Sequence, residues 1–239
     1  MIDKEKGCLY LIPVPIDQNS KEPILLEKHQ KIVEYLDYFV VENEKTARFH
    51  LGALNLHKPI HQLHFEVLDK SSTQEEIKDF LAPLLKGFNI GLLSESGSPA
   101  VADPGAKMVA LAHQNNIKVI PMTGPSSILL ALMASGLNGQ QFKFHGYLPS
   151  EKIERIKKII LIENESKKNN ETQIFIETPY RNQHVFNDLI ETLKEQTQLC
   201  VGSDITSENE SILTKNIRDW KKCIAIDLKN KPCVFLLQS

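Results

Sequence analysis

The 239-residue chain is poor in cysteine, with four residues at 8, 200, 223 and 233. They are widely spaced and form no CxxC pair, which argues against a disulfide framework or a thiolate metal site. Buried free thiols in a reducing compartment are expected instead. No run of about 18 consecutive apolar residues occurs, so no membrane span is expected. The opening MIDKEKGCLYLIPVPI lacks a signal-peptide core, its short apolar run being broken by Pro13 and Pro15. A cytoplasmic location is the resulting expectation. Neither sign of charge dominates: 28 basic against 30 acidic side chains leave a formal net charge of -2. That removes whole-protein attraction for nucleic acid but leaves room for a local basic surface.

Three chemical signatures are also missing. There is no GxGxxG after the first strand, no phosphate-loop lysine with its glycine spacing, and no HExxH. His57, His61 and His64 have the spacing of one helix face, but Pro59 interrupts them and the run then alternates like a strand. No metal is expected.

What is present is a core and an alternation. Apolar residues make up 41% of the chain, enough to fold one large or two compact domains. Strands are expected at Cys8 to Val14, Phe39 to Val41, Gln62 to Val67, Ile90 to Ser94 and Ile117 to Met122. Helices are expected over Pro23 to Tyr38, Glu44 to Leu54, Ser72 to Leu85 (with Ser72 as the cap) and Pro104 to Asn115. Beyond Gly124 the pattern is less regular. A short apolar helix at Ser126 to Ala134 precedes a strand at Phe142 to Gly146 and a helix at Glu151 to Asn164. The polar run Glu165 to Glu171 reads as a loop, followed by a strand at Thr172 to Glu177, a helix at Gln183 to Lys194 and a strand at Leu199 to Ser203. Cys223 to Leu228 and Cys233 to Leu237 read as a closing hairpin. The change of pattern divides the chain into an α/β domain of residues 1–121 and a second of residues 122–239.

The densest local signal is GLLSESGSPAVADPG, Gly91 to Gly105, followed by TGPSS from Thr123 to Ser127. Each is a Gly/Pro/Ser loop at the carboxyl end of an expected parallel strand, where open α/β sheets form ligand crevices. Ser94, Ser96 and Ser98 offer hydroxyls, and glycine lets a backbone approach a ligand closely. An ordinary surface turn with Asp103 capping the next helix accounts for the same residues, and both readings can hold. IETPYR places Glu177, Tyr180 and Arg181 where a strand turns into a helix, either as a ligand loop or as charges set by the helix dipole. Lys152, Arg155, Lys157, Lys158, Lys167 and Lys168 make a basic stretch, but interleaved glutamates favour a solvated helix face.

LYLIPVPI, SESGSPAVADPG, VIPMTGPSS, FKFHGYLP and IFIETPYR, in this order and spacing, resemble the tetrapyrrole methylase family. Within it they resemble the bacterial branch that methylates a ribose 2'-hydroxyl of small-subunit ribosomal RNA. The resemblance runs from Leu9 to Leu237. It implies a tetrapyrrole methylase-like fold of two α/β domains with the cofactor cleft between them, S-adenosylmethionine as methyl donor, and a homodimer. It also implies ribosomal RNA or the small ribosomal subunit as partner.

Carried over residue by residue, the resemblance assigns cofactor binding to Pro15, Ser94, Gly97, Ser98, Ala102, Asp103, Thr123, Gly124, Pro125 and Ser126. Arg48, Tyr180 and Arg181 become substrate-binding candidates. Because a ribose hydroxyl is a poor nucleophile, a carboxylate or a polar network should help remove its proton, and Glu95, Glu42 and Glu177 are the candidates. The family's Asp-Ala-Gly-Thr-Pro segment reads Glu95 to Pro99 here, and its Glu-Asp-Thr-Arg segment reads Glu42 to Lys45. These departures leave open a macrocycle-like small molecule as acceptor, and a non-catalytic relative that binds cofactor or RNA.

Overall fold

The computed structural model describes residues 5–22, 24–223 and 226–239. It divides into two compact units, one ending at Ser126 and the other beginning at Ser127.

In the first unit, among the described residues, five parallel strands form one sheet. They are β1 (Cys8–Ile12), β2 (Tyr38–Val41), β3 (His64–Val67), β4 (Ile90–Leu93) and β5 (Lys118–Pro121), in the order β3-β2-β4-β1-β5. Parallel neighbours require crossovers, and the intervening helices supply them. These are α1 (Glu27–Val33), α2 (Glu44–Leu51), α3 (Gln74–Phe80), α4 (Ala82–Leu85) and α5 (Gly105–Gln114). All of β4 is buried, as a central strand covered on both faces must be. One face packs Leu9, Val40, Leu84 and Met108 under α3 to α5. The other packs Ile12, Val33, Phe39, Leu51 and Leu93 under α1 and α2.

Local chemistry sets the helix bounds. The helix expected from Pro23 begins at Glu27, and Pro23 itself lies outside the described residues. Asn43 caps α2, its side chain accepting from the amides of Lys45 and Thr46. The cap of α3 is Thr73, one residue later than expected. Thr73 and Glu76 form a reciprocal capping box, while Ser72 is used in a turn with Asp69. Pro83, which lacks an amide hydrogen, accompanies the break of the single expected helix into α3 and α4.

The second unit has a mixed sheet in the order β6-β7-β10-β8-β9, with only β6 and β7 parallel. Its strands are β6 (Phe142–Tyr147), β7 (Thr172–Glu177), β8 (Gln198–Ser203), β9 (Ser211–Asn216) and β10 (Cys233–Gln238). Helices α7 (Lys152–Asn169), α8 (Asn182–Thr192) and α9 (Ile217–Trp220) cover one face, around Ile159, Phe175, Leu189 and Phe235. Helix α6 (Ser127–Ser135) covers the other, over Ala131, Leu132 and Cys200.

Two expectations fail in this unit. The polar run after Asn164 is helix, not loop: α7 continues to Asn169 and ends at Asn170 in the left-handed conformation. Lys167 and Lys168 in its last turn oppose the negative end of the helix dipole, which suits helix rather than loop. The closing hairpin is also absent among the described residues. Ile224 and Ala225 lie outside the described residues, and 226–228 is not strand. Cys233–Gln238 instead runs between β7 and β8, antiparallel to both. The four thiols are free; Cys200 and Cys233 are buried, and burial pushes the Cys233 thiol up to about 12.

Candidate functional site

Strand order locates a crevice in the first unit. From β1 the chain crosses through α1 to β2 on one side, and from β4 it crosses through α5 to β5 on the other. The crossovers diverge around the neighbouring carboxyl ends of β1 and β4, a topological switch point where ligands of open α/β sheets bind.

The loops after β1, β4 and β5 are tied together there. Val14 donates its amide to the Gly97 carbonyl at 2.9 Å, forming an isolated antiparallel bridge. Ser96 Oγ donates to the Ile16 carbonyl at 2.9 Å, and Ser98 Oγ to the Pro125 carbonyl at 2.9 Å. Gly97 has φ of +69°, which a side chain would strain. Gly124 lies so close to Pro13 that a Cβ would collide with the Cβ and Cγ of that proline. The carboxyl end of β5 stays open, with Thr123 and Gly124 exposed and Pro125 and Ser126 half-buried.

Some of the predicted binding residues hold the loop itself. Ser94 is buried, and its hydroxyl turns back to the Ser96 carbonyl at 3.2 Å. Asp103 accepts from the amides of Ala100 and Gly105, both at 2.7 Å. This capping supports Ala100 and Ala102 at φ of 66° and 64°, a conformation alanine rarely adopts. Ala102 itself is exposed.

The candidate carboxylates belong to different units. Glu42 follows β2, and its Oε2 accepts the Glu95 amide at 3.2 Å, while its own amide donates to the Leu93 carbonyl. Burial raises the proton affinity of Glu42, and the nearby charges of Asp103 and Glu95 add to this, against the Glu95 amide and Lys70. Burial likewise raises Asp103, against the amides of Gly105 and Ala100. Glu177 belongs to the second unit. Its Oε1 accepts from the Thr178 amide at 2.8 Å, and its buried Oε2 lies 3.1 Å from Arg181 Nη2. That contact is an ion pair without hydrogen-bond geometry, since Arg181 Nη2 donates instead to the Pro149 carbonyl at 2.9 Å.

The remaining candidates are occupied to different degrees. Arg48 pairs with Glu44, donates to the Ile60 carbonyl and lies over the Phe65 ring. Tyr180 is exposed. Of the basic stretch, Arg155 is buried against Asp188, Lys152 reaches the same carboxylate, and Lys157 pairs with Glu154. The paired helix face therefore outweighs a basic track there. Sequence reasoning named Pro125, but not that its backbone carbonyl, like that of Ile16, is the group that ties the loops, since a carbonyl carries no side-chain signal. It also missed His50, discussed below.

The model of tetrapyrrole (corrin/porphyrin) methylases matches residues 20–220. The chain belongs to the tetrapyrrole methylase family. It is a methyltransferase, and its methyl donor is S-adenosylmethionine. Among its relatives, the ribosomal RNA small subunit methyltransferase I of Vibrio cholerae is 29% identical over 93% of this chain and 73% of its own length. The protein of that name from Buchnera aphidicola subsp. Schizaphis graminum is 32% identical over 86% of this chain and 68% of its own. The crystal structure of the methyltransferase CobJ superposes with a TM-score of 0.64 over 98% of this chain and 94% of that one, at 14% identity. At that identity the likeness concerns the fold.

The crevice suits the donor. Glu42, Glu95 and Asp103 gather acidic charge beside it, which favours a ligand carrying a sulfonium and an ammonium. The missing side chain at Gly124 lets the loop after β5 lie against Pro13, and Gly97 takes the positive φ that its turn requires.

Proposed function

We propose that this protein methylates the 2'-hydroxyl of a ribose in small-subunit ribosomal RNA. The observation that carries the reading is the tying of the β1, β4 and β5 loops at the switch point through Val14–Gly97, Ser96–Ile16 and Ser98–Pro125. The relatives named as small-subunit ribosomal RNA methyltransferases support the choice of acceptor.

Gly97, Ser98, Thr123, Gly124, Pro125 and Ser126 hold the donor, with Pro15 walling the crevice. Ser94, Ala102 and Asp103 keep the loop in shape. S-adenosylmethionine supplies, when bound, a methyl group activated on a sulfonium. The protein's part is to orient the two reactants and to accept the proton of a weak nucleophile. Glu42 is best suited to that proton. Its raised affinity brings it nearer the working pH, and the Glu95 amide fixes one of its oxygens. Arg48, Tyr180 and Arg181 contact RNA, Tyr180 being the most accessible of them.

The active form is a homodimer working in the cytoplasm. Exposed Ile153, Ile160 and Leu161, spaced to share one face of α7, support self-association, and the free thiols support a reducing compartment. The test is to incubate the protein with radiolabelled S-adenosylmethionine and small ribosomal subunits lacking their native methyl groups. Label at a ribose establishes the reading. Label absent from RNA, with donor binding intact by calorimetry, rejects it.

A further inference from the structure

Beneath the loop after β1, on the α1–α2 side of the sheet, lies a half-open cleft of about 390 Å³, counting the part open to solvent. Pro13, Pro15, Leu54 and Leu93 are among the residues that make its walls apolar. His50 of α2 breaks that surface. It is only 8% exposed, and its Nε2 is buried without a hydrogen-bond partner. A buried polar atom left unpaired costs roughly 1–3 kcal/mol, so its retention calls for a partner. A mostly apolar slot with His50 in its wall, and with Ser20, Lys21 and Glu22 as its other polar lining, has the makeup of a small-molecule site.

The position narrows the occupant. Pro13 and Pro15 flank Val14, which is bridged to Gly97, and Leu93 directly precedes the Ser94 loop. The cleft therefore adjoins the crevice assigned above to the methyl donor. A ribose presented to that crevice carries a base, which must leave its stack to fit into a folded protein. A base needs apolar walls for its faces and a hydrogen-bonding group for its edge. Burial pushes the His50 imidazole below its usual affinity for a proton, so it meets a ligand as a neutral ring. Lys21, exposed at the rim, brings a cation within reach of a phosphate.

We propose that this cleft receives one unstacked nucleobase of the RNA substrate, its polar edge hydrogen-bonded to His50 Nε2. The proposal rests on the ribosomal RNA reading above. Its test compares His50→Leu and His50→Gln with the parent in methyl transfer to unmethylated small subunits, and follows the His50 ring signal by NMR as nucleoside monophosphates are added. Leucine removes the hydrogen bond and an unpaired buried polar group together, so H50L should melt no lower than the parent. The expected result is a KM raised about tenfold in H50L, with unchanged donor affinity by calorimetry. H50Q, whose amide reaches the place of Nε2, should restore it. RNA methylated with a parental KM in H50L overturns the pocket and leaves the function standing. A saturable shift of the His50 signal by nucleotides, with no methyl transfer to ribosomal RNA, supports the pocket and overturns the acceptor.

Discussion

The hydroxyl of Ser98 donates to the carbonyl of Pro125 at 2.9 Å, so the loop after β4 holds the loop after β5. Ser98→Ala removes that tie without opening a cavity. A side-chain hydrogen bond is worth about 0.5–1.5 kcal/mol, so donor affinity should fall by up to about tenfold with the fold intact. Isothermal titration with S-adenosylmethionine, beside a circular dichroism melt, makes the comparison. Equal affinity in S98A would mean that the donor does not depend on this pair of loops.

Gly124→Ala addresses the same loop from the other side. The new Cβ cannot fit beside Pro13, and the collision involves a rigid ring, so the backbone must move. A loss of about 1–3 kcal/mol in stability is expected, together with loss of detectable donor binding. Urea unfolding gives the first quantity and calorimetry the second. A variant that binds donor like the parent would show that the two loops separate freely.

For Glu42 the sign of the pH dependence can be worked out. Folding raises its proton affinity above the usual 4.5, so the folded state holds the proton more tightly than the unfolded state. The stability it contributes is present below that value and is lost as pH rises through the raised one. Glu42→Gln keeps an oxygen for the Glu95 amide and carries no charge to bury. It should be at least as stable as the parent near neutral pH, with the advantage shrinking toward about pH 4. Its kcat should fall about hundredfold if Glu42 takes the hydroxyl proton. Unchanged turnover in E42Q would move the base elsewhere.

Arg181 offers a contrast between binding and structure. Its partner Glu177 Oε2 is buried, so Arg181→Ala leaves a buried carboxylate without its counter-ion. Breaking such a pair costs about 3–5 kcal/mol, and Glu177→Gln in the same chain should recover part of it. Chemical denaturation of the single and double variants measures both. A purely RNA-binding arginine would leave stability alone and raise only KM.

Strands β1, β4 and β5 were readable because each is a short apolar run closed by Gly, Pro or Ser. Thr172 to Glu177 was readable to the residue for the same reason. Strand β9 was not, since SILTKN is half polar and sits at a sheet edge, where one side of the ladder needs no apolar partner. The extension of α7 was hidden by polar residues, which a helix accepts on its solvent side as readily as a loop does. Glu42 and Glu95 could be named separately, but nothing in their spacing of 53 positions announces that one carboxylate meets the other's amide.

The residue pattern alone therefore determined the family, the alternation of the first unit and the loops that close its strands. Those depend on local propensity and on glycine, proline and serine chemistry. Tertiary structure decided which loops meet and which candidate residues turn inward to hold their own loop. It also set the Glu42 carboxylate against the Glu95 amide and left His50 Nε2 without a partner. Contacts of that kind join positions far apart in sequence, often through backbone carbonyls that every residue carries. Only the packed chain specifies them.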